Sequence, residues 1–207
     1  ASYNSMGNAY QEMNNDSLAL ENYKQSYALR NEMQDKIGTA QSLNNMAIVY
    51  SAQGNFNKAL DLLFQSLAIK QELNDLNGMA ASYDNIGDVY AARYKANKST
   101  TDMEQAIDYF NKSLSIARRL HLKEIIKICC ESLAEIYHRK GDDSKAYAYY
   151  KEYSLVKDSL LNEHIALSET EMQSKYESEK KEKEIALLNK SKIMAESREK
   201  TQRLIII

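Results

Sequence analysis

The chain has 207 residues, a formal net charge of -2 and a pI near 6.0. Nucleic-acid binding normally needs a basic stripe that neutralises phosphates, so this charge balance disfavours it for this segment. Hydrophobic residues make up 43% of the chain, proline is absent and glycine occurs six times. Since proline and glycine interrupt helices, their scarcity predicts an all-α protein.

Tyrosines recur at intervals of 40, 40 and 47 residues, at Tyr10, Tyr50, Tyr90 and Tyr137. An alanine follows each of them, at Ala19, Ala59, Ala106 and Ala146. A fixed period of this size is typical of stacked helix hairpins that bury their apolar faces on their neighbours. The predicted units run over residues 1–36, 37–76, 77–121 and 122–160.

The first units show the expected hairpin pattern. Tyr3, Met6, Gly7 and Tyr10 have the i, i+3, i+4, i+7 spacing of one apolar helix face. A turn with an N-cap is predicted at 14–17. In the second unit, Gly54 is expected to take the left-handed conformation and Asn55 to cap the next helix.

The third unit is seven residues longer than the others. Thr101 and Glu104 have capping-box spacing, which predicts that the second helix of this unit begins there. The extra length then forms a longer first helix and a loop, Ala96 to Thr100. A functional loop and a tolerated insertion are both open, and the low cost of lengthening a surface loop favours the insertion.

From Leu161 the repeat pattern stops. Eight of the eleven residues from Ser174 to Glu184 are charged, with opposite charges at i, i+4, which predicts a solvated helical linker over 161–203. A seven-residue ladder, interrupted by Glu179, gives a weak coiled-coil signal and a homodimer hypothesis; it comprises Ile165, Met172, Ala186 and Ile193. Residues 204–207 have the composition of the first turn of a transmembrane helix, although a span needs about 20 apolar residues.

These units resemble tetratricopeptide repeats. The pattern W-x2-L-G-x2-Y is matched at Tyr3–Tyr10, Leu43–Tyr50, Tyr83–Tyr90 and Cys130–Tyr137. The closing proline is missing and the period is 40 residues, which resembles the subclass found in kinesin light chains and bacterial peptide-sensing regulators. The resemblance implies a right-handed α-solenoid of four helix hairpins followed by a long C-terminal helix.

The order of repeats, charged helix and short apolar end is similar to the sensor half of Bacteroidetes membrane-anchored signalling proteins. That resemblance implies a periplasmic region held at the inner membrane by a segment beyond Ile207, with a histidine kinase or helix-turn-helix output outside this chain. The alternative is a cytosolic scaffold with no membrane role. Five basic residues outnumber two acidic ones just before the apolar end, which favours a cytoplasmic side.

The first helices of such a solenoid line its groove, and their helical phase predicts the residues that face it: Asn4, Asn8, Asn44, Asn45, Ile48, Asp84, Asn85, Asp88, Glu131 and Glu135. Asn45 and Asn85 match the asparagine that peptide-binding relatives use to hold a partner's backbone, whereas the alternative makes them ordinary solvated helix residues. The predicted groove is neutral at first and acidic over the last two units. A neutral or basic protein or peptide is therefore the expected partner.

The remaining candidates for chemistry are weak. The repeated tyrosines are expected in the core, rather than as a ligand-stacking row, because they share a face with small residues. Cys129 and Cys130 are adjacent, which suits burial better than a disulfide or a metal site. His164 has no kinase phospho-acceptor pattern around it. The sequence therefore predicts no catalytic site, no metal and no cofactor, and a protein that is not an enzyme on its own.

Overall fold

The computed structural model describes the backbone of residues 2–205 and the side chains of residues 2–192 and 194. Over this range the chain forms eight helices: α1 Tyr3–Glu12, α2 Asp16–Glu32, α3 Lys36–Ala52, α4 Phe56–Glu72, α5 Leu76–Asn97, α6 Thr100–Leu120, α7 Lys123–Lys140 and α8 Asp143–Ile205. No strand occurs among the described residues, and the all-α prediction is confirmed. Two compact units divide the chain between Lys157 and Asp158, so α8 belongs to both.

In the first unit, each helix from α1 to α6 packs on the next, and α5 also contacts α3 and α7. The odd-numbered helices therefore lie side by side. Tyr137 on α7 stacks on Tyr149 of α8, with the ring centroids 5.6 Å apart. This arrangement of successive helix hairpins is the predicted α-solenoid.

Every connection between these helices contains one residue with a left-handed backbone, at Asn14, Gln34, Gly54, Asn74, Lys98, His121 and Gly141. A left-handed residue ends a helix and allows its last carbonyl groups to be satisfied. Gly54 behaves as predicted, whereas five connections use residues with a side chain, which costs about 1–2 kcal/mol each. The predicted cap is wrong in one detail: Asn55 holds the N-cap position of α4, but its side chain makes no capping hydrogen bond.

The inserted stretch of the third unit differs from the prediction. Helix α5 runs to Asn97 and α6 starts at Thr100, so the connection has two residues instead of the loop from Ala96 to Thr100. Ser99, and not Thr101, is the N-cap, and its Oγ accepts from the backbone N–H of Asp102 at 3.3 Å. The early start of α6 is explained by Asp102, because two side chains near the end of α5 bind its carboxylate.

Those two side chains are Arg93 and Asn97. Arg93 Nη2 lies 2.6 Å from Asp102 Oδ1, and Asn97 Nδ2 donates to Asp102 Oδ2 at 2.9 Å. Asp102 is only 5% exposed, so this ion pair is largely desolvated on the carboxylate side. The guanidinium holds the pKa of Asp102 below its usual range. The contacts fix the end of α5 to the start of α6.

The core follows the predicted pattern. Ala19, Ala59 and Ala106 are fully buried, and the tyrosines of the repeat pack into or against the core. Their interpretation as core residues is confirmed. A Cβ atom added to Gly87 would lie 2.8 Å from the ring of Phe110, so a larger residue could not be accommodated without a shift. Small residues at this position allow the two helices of a hairpin to approach closely.

The second unit consists of α8 from Asp158 onward. Every described side chain from Leu161 is exposed, and Ile165 and Met172 are 49% and 71% exposed. The homodimer stays a prediction, and the Ile193 side chain of its ladder lies outside the described residues. The side chains of the predicted apolar end at 204–207 also lie outside the described residues. None of the helices within the described range is long and apolar enough to cross a membrane.

Candidate peptide-binding groove

A cavity of about 440 Å³ lies between α3, α5 and α7 of the first unit. Ile48 projects into it from α3, Asn85 and Asp88 from α5, and Ser132 and Glu135 from α7. Leu63 of α4 also lines it. We call this surface the central groove. It is the place where the odd-numbered helices of three successive hairpins meet, as the repeat pattern predicts for a binding face.

The structure brings together four of the ten predicted groove residues here: Ile48, Asn85, Asp88 and Glu135. The other six lie elsewhere. Asn4 and Asn8 are on α1, outside this cavity, and Glu131 lines a different one. Asp84 is buried, with 7% exposure, so it is not available at the surface. Asn44 and Asn45 are half-buried and engaged with neighbouring repeats.

The asparagines form a ladder between repeats. Asn45 Nδ2 donates to Asn4 Oδ1 at 2.9 Å, and Asn85 Nδ2 donates to Asn44 Oδ1 at 2.7 Å. Each pair is 41 residues apart and therefore joins one unit to the next. The sequence predicted that Asn45 and Asn85 either bind a partner's backbone or are ordinary solvated residues, and neither interpretation included a hydrogen bond between repeats. An amide has two N–H groups and an oxygen, and the described residues engage one N–H of Asn85, which leaves one donor and the acceptor for another partner.

Asp84 takes a different partner at the third junction. It occupies the position of Asn4 and Asn44, but its Oδ1 accepts from the Cys129 thiol at 3.2 Å. Burial, with a smaller contribution from nearby Asp88, raises the pKa of Asp84 to about 7. Cys129 is itself fully buried, as predicted, and burial raises the pKa of its thiol. This contact links α5 to α7.

The charges of the central groove are balanced. Glu135 Oε1 lies 2.7 Å from Arg139 Nη2 and 3.5 Å from Lys95 Nζ, and both cations line the same cavity. Desolvation raises the pKa of Asp88 to about 6, and Lys95 partly opposes this shift. Asp88 retains exposed surface at the mouth of the cavity. Two acidic and two basic side chains therefore share the groove, whereas the helical phase predicted acidic residues and no basic ones among the charged side chains.

Two groove residues that were not predicted from the sequence belong to the lengthened part of the third unit. Tyr94 and Lys95 lie on the part of α5 that extends past the end of the matching helix α3, and both line the cavity. The sequence feature that could have indicated them is the seven extra residues of the third unit, for which a tolerated insertion was the favoured interpretation. Lengthening α5 carries these side chains into the groove. Part of the inserted stretch is thus a component of the candidate site.

No group of three or more His, Cys, Asp or Glu side chains that could hold a metal occurs within the described range. Burial raises the pKa of the Cys130 thiol to about 12, so neither cysteine is disposed to act as a thiolate nucleophile. His138 and His164 are exposed on α7 and α8. The groove offers hydrogen-bonding amides, apolar side chains and paired charges, which suit binding.

The fold and the groove define a helical-repeat protein whose concave surface is built from successive hairpins. Models of the tetratricopeptide repeat match residues 38–98, 95–119 and 129–163. The chain therefore contains tetratricopeptide repeats, and it carries a protein-interaction module. Among curated protein sequences, none matches significantly.

Several solved structures share the fold. BtubC (BKLC) from P. vanneervenii aligns with a TM-score of 0.66 and 20% identity, over 76% of this chain and 63% of that one. Aspartyl phosphate phosphatase F from Bacillus subtilis gives 0.70 and 15%, over 76% and 40%. A Rap protein complexed with competence and sporulation factor gives 0.66 and 18%, over 74% and 41%. The chain thus spans 40 to 63% of these proteins, and the identities show the fold alone.

Proposed function

We propose that the central groove binds an extended segment of a partner protein that is uncharged, or balanced in charge, where it contacts the groove. The observation that supports this most is the free hydrogen-bonding capacity of Asn85 beside the apolar side chain of Ile48. An amide that retains a donor and an acceptor suits a peptide backbone, which offers one of each per residue. A structural neighbour is a Rap protein complexed with competence and sporulation factor, which is consistent with use of this fold for binding.

The proposal is tested with the full chain and a displayed library of random dodecapeptides. Peptides selected on the unmodified protein are synthesised, and their affinities are measured by fluorescence anisotropy. We expect Asn85→Ala to weaken binding about tenfold, because the loss of a buried amide contact leaves backbone groups of the peptide unpaired. Glu104→Gln, on an exposed position of α6, is the matched control. Equal affinity for all three proteins would place the peptide outside the groove and refute the proposal.

We further propose that this module is the sensor part of a membrane-anchored signalling protein and that α8 relays partner binding toward the membrane. The proposal is supported by the order of the parts, with a helical linker after the repeats. Relay requires two arrangements of that helix, each favoured by one ligand state. The coding sequence on either side of this segment tests it. A stop codon soon after Ile207 would remove the membrane anchor and with it this proposal.

Dimerisation through residues 161–203 has a separate test. Single cysteines placed at Ile165 and Met172, both exposed on α8, are expected to form disulfide-linked dimers on mild oxidation. Cys129 and Cys130 are fully buried and serve as an internal background in the unmodified protein. Crosslinking that yields monomer alone from both variants would refute the dimer.

A further inference from the structure

A second cavity of about 430 Å³ lies at the end of the repeat array, between α7 and the start of α8. Three tyrosines of α8 line it: Tyr147, Tyr150 and Tyr153. Tyr147 and Tyr150 are 69% and 59% exposed, and the rings of Tyr150 and Tyr153 lie 5.9 Å apart with an angle of 37° between their planes. We call this surface the end pocket. It is separate from the central groove, apart from Glu135, which lines both cavities.

The exposure of Tyr150 is unusual for its place in the repeat. The matching residues of the first three units are Tyr23, Leu63 and Phe110, and none of them is more than 1% exposed. In the first and third units this residue packs against the first helix of its own hairpin, at Gly7 and Gly87. Tyr150 instead lines the end pocket and stays exposed among the described residues. A position that the repeat normally buries is therefore an open aromatic surface here.

The rim of the end pocket carries acidic side chains. Glu131, Glu135 and Asp143 all line it, and Glu131 makes no ion pair with any described residue. Asp143 Oδ1 lies 3.1 Å from His138 Nδ1, and Glu135 is shared between Lys95 and Arg139. Carboxylates next to exposed aromatic faces attract cations, since both the charge and the ring quadrupole are negative toward the pocket.

Cation-π contacts within the chain are common at its other tyrosines. Six rings have a lysine or arginine of the same chain within 6 Å, on Tyr50, Tyr90, Tyr94, Tyr109, Tyr137 and Tyr153. Among the described residues no lysine or arginine lies over Tyr147 or Tyr150. Tyr147 and Tyr150, the two most exposed tyrosines of the array, are thus among the rings without an internal cation.

We propose that the end pocket binds an arginine or lysine side chain presented by a partner protein. The argument is charge complementarity. Among the described residues the faces of Tyr147 and Tyr150 have no cation over them, and the neighbouring Glu131 carboxylate has no ion-pair partner. A guanidinium suits the site best, because its plane stacks on an aromatic ring while its edge donates to Glu131. The partner segment would cover the faces of Tyr147 and Tyr150 that the described chain leaves exposed.

The test uses the full chain with ring-labelled tyrosine and NMR titration with acetyl-Gly-Arg-Gly-amide. The neutral matched probe is the same peptide with citrulline in place of arginine. We expect saturable shifts of the Tyr147 ring signals with the arginine peptide and binding about fivefold weaker with citrulline, which keeps the shape but loses the charge. Equal affinity for the two probes, or the absence of saturable shifts with arginine, would overturn the proposal.

Variants separate this site from the alternatives. Tyr150→Leu is expected to weaken binding about fivefold, whereas Tyr150→Phe keeps the aromatic face and stays within about twofold of the parent. If Asn85→Ala abolishes the shifts and Tyr150→Leu does not, arginine binds in the central groove and the end pocket is refuted. If the parent protein is a dimer by analytical ultracentrifugation and Tyr150→Leu makes it a monomer, a second copy covers the pocket and the proposal is likewise wrong.

Discussion

Replacing Asp84 by asparagine is expected to make the protein more stable at alkaline pH and to change it little at acidic pH. Asp84 is 7% exposed on α5, and its carboxyl group accepts a hydrogen bond from the Cys129 thiol. Burial raises the pKa of this group from 3.8 to about 7. Between these two pH values the folded protein holds a proton that the unfolded chain has lost. The free energy of unfolding therefore decreases as pH rises through that window.

The magnitude follows from the two pKa values. One unit of pKa difference is worth about 1.4 kcal/mol. Between pH 5 and pH 8 the unfolded carboxyl stays ionised, while the folded one goes from protonated to ionised, which removes about 2–3 kcal/mol of stability. Asparagine has an oxygen that can still accept from Cys129, and it carries no charge to desolvate. The variant should lack this part of the pH dependence.

Urea denaturation of both proteins at pH 5 and pH 8 measures the effect as a double difference, which cancels the titration of groups that do not interact with Asp84. Asp61→Asn is the matched control, since Asp61 is an exposed aspartate on the neighbouring helix α4. We expect the control to keep the pH dependence of the parent and Asp84→Asn to lose most of it. If Asp84→Asn instead destabilises the protein equally at both pH values, the carboxylate is ionised in the folded state and the reasoning is wrong.

Three further substitutions test the packing and the turns, each by urea denaturation. Gly87→Ala places a methyl group against the ring of Phe110 and should cost about 1–3 kcal/mol; relief by Phe110→Leu is expected, and no relief would contradict the contact. Gln34→Gly removes a left-handed strain and should add up to about 1 kcal/mol, so a loss of stability would speak against that turn. Asp102→Asn leaves the partly buried Arg93 guanidinium without its anion and should cost about 2 kcal/mol; an unchanged unfolding midpoint would show that the pair is not formed.

The fold was predictable because the signal repeats. A tyrosine followed by an alanine indicates one hairpin, and four such pairs, three of them with the same spacing, indicate a stack of similar units. Ala19, Ala59 and Ala106 have these identical positions, and all three are fully buried. Left-handed turns at Gln34 and Lys98 carry no such signal, since neither residue type favours that conformation.

The site was predicted in part, and the errors have a common cause. Helical phase indicates which residues face the concave side, but burial also depends on which side chain the next repeat presents. Phase places Asp84 in the groove, whereas a cysteine of α7 reaches it and the carboxyl is buried. Lys95 and Arg139 lie outside the repeated pattern, so phase omitted the cations that balance Glu135. Insertions and contacts between repeats differ from one unit to the next, so a periodic pattern does not predict them.

The central groove is located where the asparagine ladder ends. At the first two junctions, Asn45 and Asn85 each use an amide N–H on the preceding unit. At the third junction Ser132 occupies the position of Asn45 and Asn85. The acceptor that an asparagine there would reach is Asp84, and Asp84 already accepts a hydrogen bond from Cys129. Ser132 is therefore left to line the cavity, and Asn85 faces it with its remaining polar groups. A break in a contact that joins the repeats thus provides the polar atoms of the candidate binding surface.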